Sequence, residues 1–79
     1  MPNRPIPDQH LKRFEYISIF LRELRLNEGM TQEELSQQTN LPRNSIIRAE
    51  KAKNITLLSL FDLADALEIS PKELFQDIE

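Results

Sequence analysis

The side chains with the most chemical capacity in this 79-residue chain are hydrogen-bond donors rather than nucleophiles. Arg43, Asn44, Arg48, Lys51 and Lys53 fall close together. Residues 41–53 carry four basic groups against Glu50, a net charge of +3; residues 1–40 sum to −1 and residues 54–79 to −5, which gives −3 overall. Arginine offers a rigid fork of N–H groups, lysine a mobile point charge, and asparagine a donor beside an acceptor. Gathered on one segment, they suit a polyanion, provided the acidic remainder is turned away from it. The low total charge predicts weak non-specific binding. Catalytic chemistry has no comparable cluster. There is no cysteine, and His10 is the lone histidine. Glu33 and Glu34 are adjacent and diverge around a helix, so they read as a solvated face. No nucleophile–base–acid set, phosphate loop or metal-ligand spacing is present. The expectation is a binding protein without cofactor or metal, not an enzyme.

The donors need a scaffold, and the stretch QEELSQQTNLPRNSIIRAE supplies one. It reads as two short helices, about Gln32–Gln38 and about Arg43–Lys51, joined by a tight turn. Thr31 and Glu34 match the S/T-x-x-E capping box that starts the first. Pro42 suits the first turn of the second, where its missing N–H costs nothing. Leu35, Leu41, Ile46 and Ala49 face inward, which leaves Arg43, Asn44, Ile47 and Arg48 outward. Two short helices crossing steeply, with a polar and basic start to the second, make a helix-turn-helix.

The remainder reads as helix throughout: an all-α fold of five helices, with residues 1–7 as an arm and 8–79 as one domain. MPNRPIP holds three prolines and one arginine, Arg4. It stands open as a floppy terminus or a minor-groove arm. Asp8 is the expected N-cap of a helix running to about Asn27. Leu11, Phe14, Ile17, Leu21 and Leu24 form its core stripe, and Gly29 is its left-handed cap. Tyr16, Ile19 and Phe20 are surplus apolar groups, either buried under the C-terminal helix or part of a self-association surface. Thr56 caps a fourth helix to about Leu67, with Leu57, Leu60, Leu63, Ala64 and Leu67 inward and Leu58 and Phe61 off the stripe. Ser70-Pro71-Lys72-Glu73 opens a fifth helix through about Asp77. Leu74 is expected in the core, and Phe75 and Ile78 half covered. No apolar run approaches the ~18 residues of a membrane span, so a cytoplasmic protein is expected.

Taken together, LRELRLNEGMTQEELSQQTNL, SIIRAE and ITLLSLFDLADALEISPKELF resemble the Cro/Xre-type helix-turn-helix domain of lambdoid phage repressors and many bacterial regulators. The likeness covers about Ile17–Phe75. The small controller proteins of restriction–modification systems look similar in length and layout. The docking geometry implied is that family's own. It assigns Gln32 to a DNA phosphate, in keeping with the affinity of a helix N-terminus for anions. It sets Arg43 and Asn44 against base edges, with Arg48 one turn later. Arginine can grip guanine O6/N7 and asparagine adenine N6/N7, each in two bonds. Pro42, Ile47, Lys51 and Lys53 complete the implied DNA surface. Glu50 takes the place of an inward glutamate paired with Arg25. Two departures stand out. Ala52 replaces the glycine usual after the third helix, in a loop one residue shorter. Ile47 replaces a small polar residue, and either packs on a thymine methyl or a sugar or only shields the turn.

The reading is a sequence-specific regulator of transcription that binds double-stranded DNA as a homodimer on a near-palindromic operator. The alternative is an antitoxin or anti-repressor module that uses its acidic C-terminal face on a protein partner. Leu58, Phe61, Phe75 and Ile78 are the favoured dimer surface, and Tyr16, Ile19 and Phe20 the other candidate. No membrane association is expected.

Overall fold

The computed structural model describes residues 4–79; of the expected arm, residues 1–3 lie outside the described residues. Four α-helices follow in order: α1 (Asp8–Asn27), α2 (Gln32–Gln38), α3 (Arg43–Glu50) and α4 (Leu57–Ala66). A 3-10 helix, Pro71–Phe75, closes the chain. The all-α reading holds, and the described residues form no strand. The fifth helix is a correction: it is 3-10 rather than α and stops at Phe75, short of Asp77. Five residues make too few i→i−4 bonds to sustain an α-helix, and 3-10 geometry is the usual form of so short a piece.

The helix starts are set by local bonds. Thr31 accepts the Glu34 N–H at 3.0 Å while the Glu34 carboxylate accepts the Thr31 N–H at 2.9 Å, a complete capping box. Those bonds, the Thr31 backbone N–H foremost and its hydroxyl next, hold the Glu34 carboxyl below the usual carboxylate range. Thr56 accepts the Ser59 N–H at 3.1 Å. Glu73 accepts the Ser70 N–H at 2.8 Å. Asp8 does not cap α1. The N-cap is Pro7, whose extended backbone (φ −59°, ψ 147°) turns its carbonyl toward the His10 N–H at 2.9 Å. Asp8 is instead the first helical residue, where its negative charge still favours the helix start. Pro42 likewise sits at the N-cap of α3, one position before the first turn.

Two helix ends share one geometry. After α1, Gly29 (φ 70°) donates to the Leu26 carbonyl at 3.0 Å and Met30 to the Arg25 carbonyl at 3.1 Å. After α4, Glu68 (φ 59°) donates to Asp65 at 3.1 Å and Ile69 to Ala64 at 3.0 Å. Both are Schellman motifs, the second without glycine.

The core is a single cluster in which Leu21, Leu35, Ile46, Leu63 and Leu74 are essentially inaccessible. Ile17, Phe20 and Leu24 pack against it from α1. Two expected core residues stand outside. Leu11 is 39% exposed, in the first turn of α1 beside Ile6, Arg48 and Ala52. Leu57 is 60% exposed: it shares its side of α4 with buried Ala64 but sits at the helix start, overhanging a groove. Tyr16 and Phe20 are half-buried and stacked, centroids 6.4 Å apart, and the Tyr16 hydroxyl reaches Asp77 at 3.4 Å. Ile19 alone of the three surplus residues stands fully out.

Candidate nucleic-acid interface

The turn between α2 and α3 is built from two hydroxyls. Thr39, buried, donates to the Ser36 carbonyl at 3.2 Å and accepts the Leu41 N–H at 3.2 Å. Ser36 donates to the Leu41 carbonyl at 2.7 Å. Leu41 is thereby held at both its N–H and its C=O, which fixes the angle at which α3 leaves α2.

Helical spacing then sorts the side chains of α3. At about 100° per residue, Arg43, Asn44, Ile47 and Lys51 share one side. Ile46 and Ala49 occupy the other and are buried. Pro42, Arg43, Asn44 and Lys51 are exposed, and Ile47 is half-buried among them.

Beneath this face lies the Arg25–Glu50 pair. Arg25 Nε donates to Glu50 Oε2 at 2.7 Å and Nη2 to Oε1 at 2.9 Å, with side chains only 9% and 5% exposed. Arg25 Nη1 donates to the Met30 carbonyl at 2.8 Å, while the Arg25 carbonyl accepts the Met30 N–H. One residue therefore clamps both polar groups of Met30 and the last residue of α3. The hydrogen bond it donates to Glu50 holds the Arg25 guanidinium above its already high ordinary value, outweighing the opposing effect of burial. A fork-to-fork contact of this kind is among the stronger polar contacts available. Gln32 joins it: Nε2 donates to Glu50 Oε1 at 3.2 Å. That leaves the amide a second N–H for a ligand.

These groups floor an open cleft of about 700 Å³ lined by Arg22, Arg25, Thr31, Gln32, Glu33, Arg43, Glu50 and Lys51. Its lining carries four cations and two carboxylates, 4 − 2 = +2, in a chain of net charge −3.

Arg48 is placed differently from the outward position expected of it. Five residues beyond Arg43, it lies about 140° around the helix. It is half-buried, and its Nη2 donates to the Asn54 carbonyl at 2.8 Å. Lys53 is exposed on the same flank, away from Arg43 and Gln32. The structure brings Gln32, Arg43 and Lys51 together and separates them from Arg48 and Lys53.

The end of α3 explains how alanine replaces glycine. Ala52 is left-handed (φ 57°), and Lys53 N–H donates to the Arg48 carbonyl at 3.1 Å, one bond of a Schellman motif. The second bond is interrupted by a side chain from α1. Ala52 N–H donates to Ser18 Oγ at 2.8 Å, and Ser18 Oγ donates to the Ala49 carbonyl at 2.6 Å. A buried hydroxyl thus ties α1 to the last turn of α3. Sequence reasoning missed both Ser18 and Arg22. The signal available was spacing: Ser18, Arg22 and Arg25 recur at four and three residues along an otherwise apolar helix side.

The expected dimer residues form no sealed patch. Leu58 is 70% exposed and Phe61 39%, on the outer side of α4. Phe75 and Ile78 instead line an apolar groove of about 420 Å³ with Leu57, Phe14 and Ile17.

The helix-turn-helix family profile matches residues 21–74. The restriction–modification controller protein C.AhdI from Aeromonas hydrophila has a similar structure, with a TM-score of 0.75, 35% identity, and coverage of 81% of this chain and 98% of that one. Wild-type C.Esp1396I, another such controller protein, gives a TM-score of 0.71, 34% identity, and coverage of 81% and 84%. C.Esp1396I bound to a 19 base pair DNA duplex gives a TM-score of 0.72, 34% identity, and coverage of 81% and 87%. No curated protein sequence matches the chain.

Proposed function

The chain belongs to the Cro/C1-type helix-turn-helix family of DNA-binding domains, and from that premise we propose that it regulates transcription by reading a near-palindromic operator as a homodimer. The observation that carries this reading is the exposure of Arg43 and Asn44 at the start of a helix held by the buried Arg25–Glu50 pair. Arg43 and Asn44 meet base edges in the major groove, with Ile47 packing between them and the backbone. Gln32, fixed through Glu50, turns its remaining N–H to a phosphate. Pro42 and Lys51 flank the contact, and Lys53 reaches the backbone only from the far flank. Arg48 serves as a strap on the Asn54 loop rather than as a reader. The protein acts by binding, not catalysis. Among the described residues no helix is long and apolar enough to cross a membrane, and the site of action proposed is the cytoplasm.

One reading helix covers few base pairs. The 19 base pair duplex of C.Esp1396I spans about two turns of DNA, room for two half-sites. Pairing of this chain is proposed through α4 and the chain end: Leu57, Leu58 and Phe61, with Phe75 and Ile78 at the groove. Six acids among residues 54–79 oppose pairing, so added salt should tighten the dimer.

Selection of bound sites from random duplex DNA tests the reading. A recovered motif with two-fold symmetry is expected, and recovery of no motif overturns it. Sedimentation of wild type beside Phe61→Ala and Ile78→Asp tests the surface. If both variants stay dimeric, the interface moves to α1 around Ile19. A wild type that is monomeric even on the selected DNA ends the dimer proposal.

A further inference from the structure

We propose that Arg22 and Lys51 together hold one DNA backbone phosphate at the rim of the cleft, a contact that rests on the DNA-binding reading above. The placement follows from two anchors. Along α1, Arg22 lies between Ser18 and Arg25, at four- and three-residue spacing and therefore on the same side. Along the α3 terminus, Lys51 lies between Glu50 and Ala52. Those flanking residues are bonded to each other: Arg25 to Glu50 at 2.7 Å, and Ser18 to Ala52 at 2.8 Å. The two cations are bracketed between the same two cross-links, and both line the cleft.

Among the described residues neither Arg22 nor Lys51 has a carboxylate within ion-pair distance, although Glu33 lines the same cleft. Glu50, the nearest carboxylate in the chain to Lys51, is consumed by Arg25 and Gln32. Like charges brought together with their natural counterion occupied elsewhere are repelled until an anion arrives. Arg22 matches an anion with two non-bridging oxygens through its fork, and Lys51 supplies a point charge from the facing helix. Gln32 and Arg43 line the same cleft, so a strand contacting them passes this rim. The contact sets register on the backbone and carries no base sequence.

The test uses the full chain and the duplex recovered by selection. Binding is measured between 50 and 200 mM salt, roughly the range over which phosphate contacts are resolved. Arg22→Gln should flatten the slope of log affinity against log salt by about 0.9, one phosphate's share. It should weaken the selected and a scrambled duplex by the same factor and leave the selected motif and the melting temperature unchanged. Arg22→Lys should restore the slope. Lys51→Gln should flatten it, and the Arg22/Lys51 double variant should lose little more than either alone. Arg13→Gln, which removes an exposed cation lining the apolar groove instead, should leave the slope unchanged. An unchanged slope in Arg22→Gln overturns the proposal while leaving DNA binding intact. So does a loss confined to one base pair, or binding of inorganic phosphate alone at the same strength as the duplex. A wild type that selects no duplex fails earlier, at the DNA-binding reading itself.

Discussion

α3 carries an arginine on each of two flanks, and the two are used in opposite ways. Arg43 stands exposed at the mouth of the cleft, above an ion pair that leaves it uncommitted. Arg48, a little over one turn on, is half-buried and holds the Asn54 carbonyl at 2.8 Å. On the cleft flank the buried charges are satisfied within the fold and the surface charges are left for a ligand. On the loop flank the arginine is spent on the chain itself. Residue type alone does not separate the proposed reader Arg43 from the strap Arg48; the Asn54 carbonyl within reach of Arg48 does.

The fold is most sensitive at the floor of the cleft. Glu50→Ala strands the Arg25 guanidinium, and a buried pair broken on one side typically costs about 3–5 kcal/mol. Thermal melts should show the largest loss of any single change, with DNA affinity falling through lost folding and through release of Gln32, and the motif unchanged. A stable Glu50→Ala protein with an altered motif would move Glu50 into the contact surface. Next in size is the contrast between the arginines. Arg43→Ala should lose about 1–3 kcal/mol of discrimination at particular base pairs. Arg48→Ala should cost about 1 kcal/mol of folding stability, the worth of a partly exposed charged hydrogen bond, with the motif unchanged. Repeating the duplex selection with both variants reads the difference directly. If Arg48→Ala changes the motif and Arg43→Ala does not, the two flanks have been assigned the wrong way round.

Smaller effects sharpen the picture. Ala52→Gly relieves a left-handed alanine, and chemical denaturation should show a gain of up to about 1 kcal/mol. No gain would mean that the Ser18 bonds already offset the strain. Smallest is the capping box of α2. Glu34 has its carboxyl lowered in the fold, so its stabilisation is present above the unfolded value, about 4.3, and disappears as pH falls through the lowered folded value. The melting-temperature gap between wild type and Glu34→Ala should be full at neutral pH and close on acidification. A gap that widens in acid would assign the stabilisation to another group.

The helix-turn-helix was legible because its signals are local. Thr31 with Glu34, Pro42, and the inward spacing of Leu35, Ile46 and Ala49 all act within one or two turns. The five-element order was legible for the same reason, apart from the 3-10 form of Pro71–Phe75. What escaped depends on partners distant in sequence. Leu11 and Leu57 fit their helical stripes, yet both stand exposed near the starts of their helices. The bond from Arg48 depends on the loop turning back at Ala52, and that turn depends on a hydroxyl 34 residues away. Ser18 in an apolar stripe gave no hint of its acceptor. That Arg22 and Lys51 line one cleft likewise depends on residues far apart in sequence.

The Ser18 hydroxyl has a metrical consequence. By taking the Ala52 N–H and giving its own proton to the Ala49 carbonyl, it removes the hinge that a bare helix end would offer. With Arg25 gripping Glu50 about two turns further along the same side of α1, α1 and α3 move as one body. In the proposed dimer each reading helix then keeps its orientation on its own protomer. Each base pair inserted between half-sites displaces them by about 3.4 Å and rotates them by about 35°. A jointed protein could follow that change; this one holds a fixed gauge, and an operator of the wrong spacing would meet only one of its two heads.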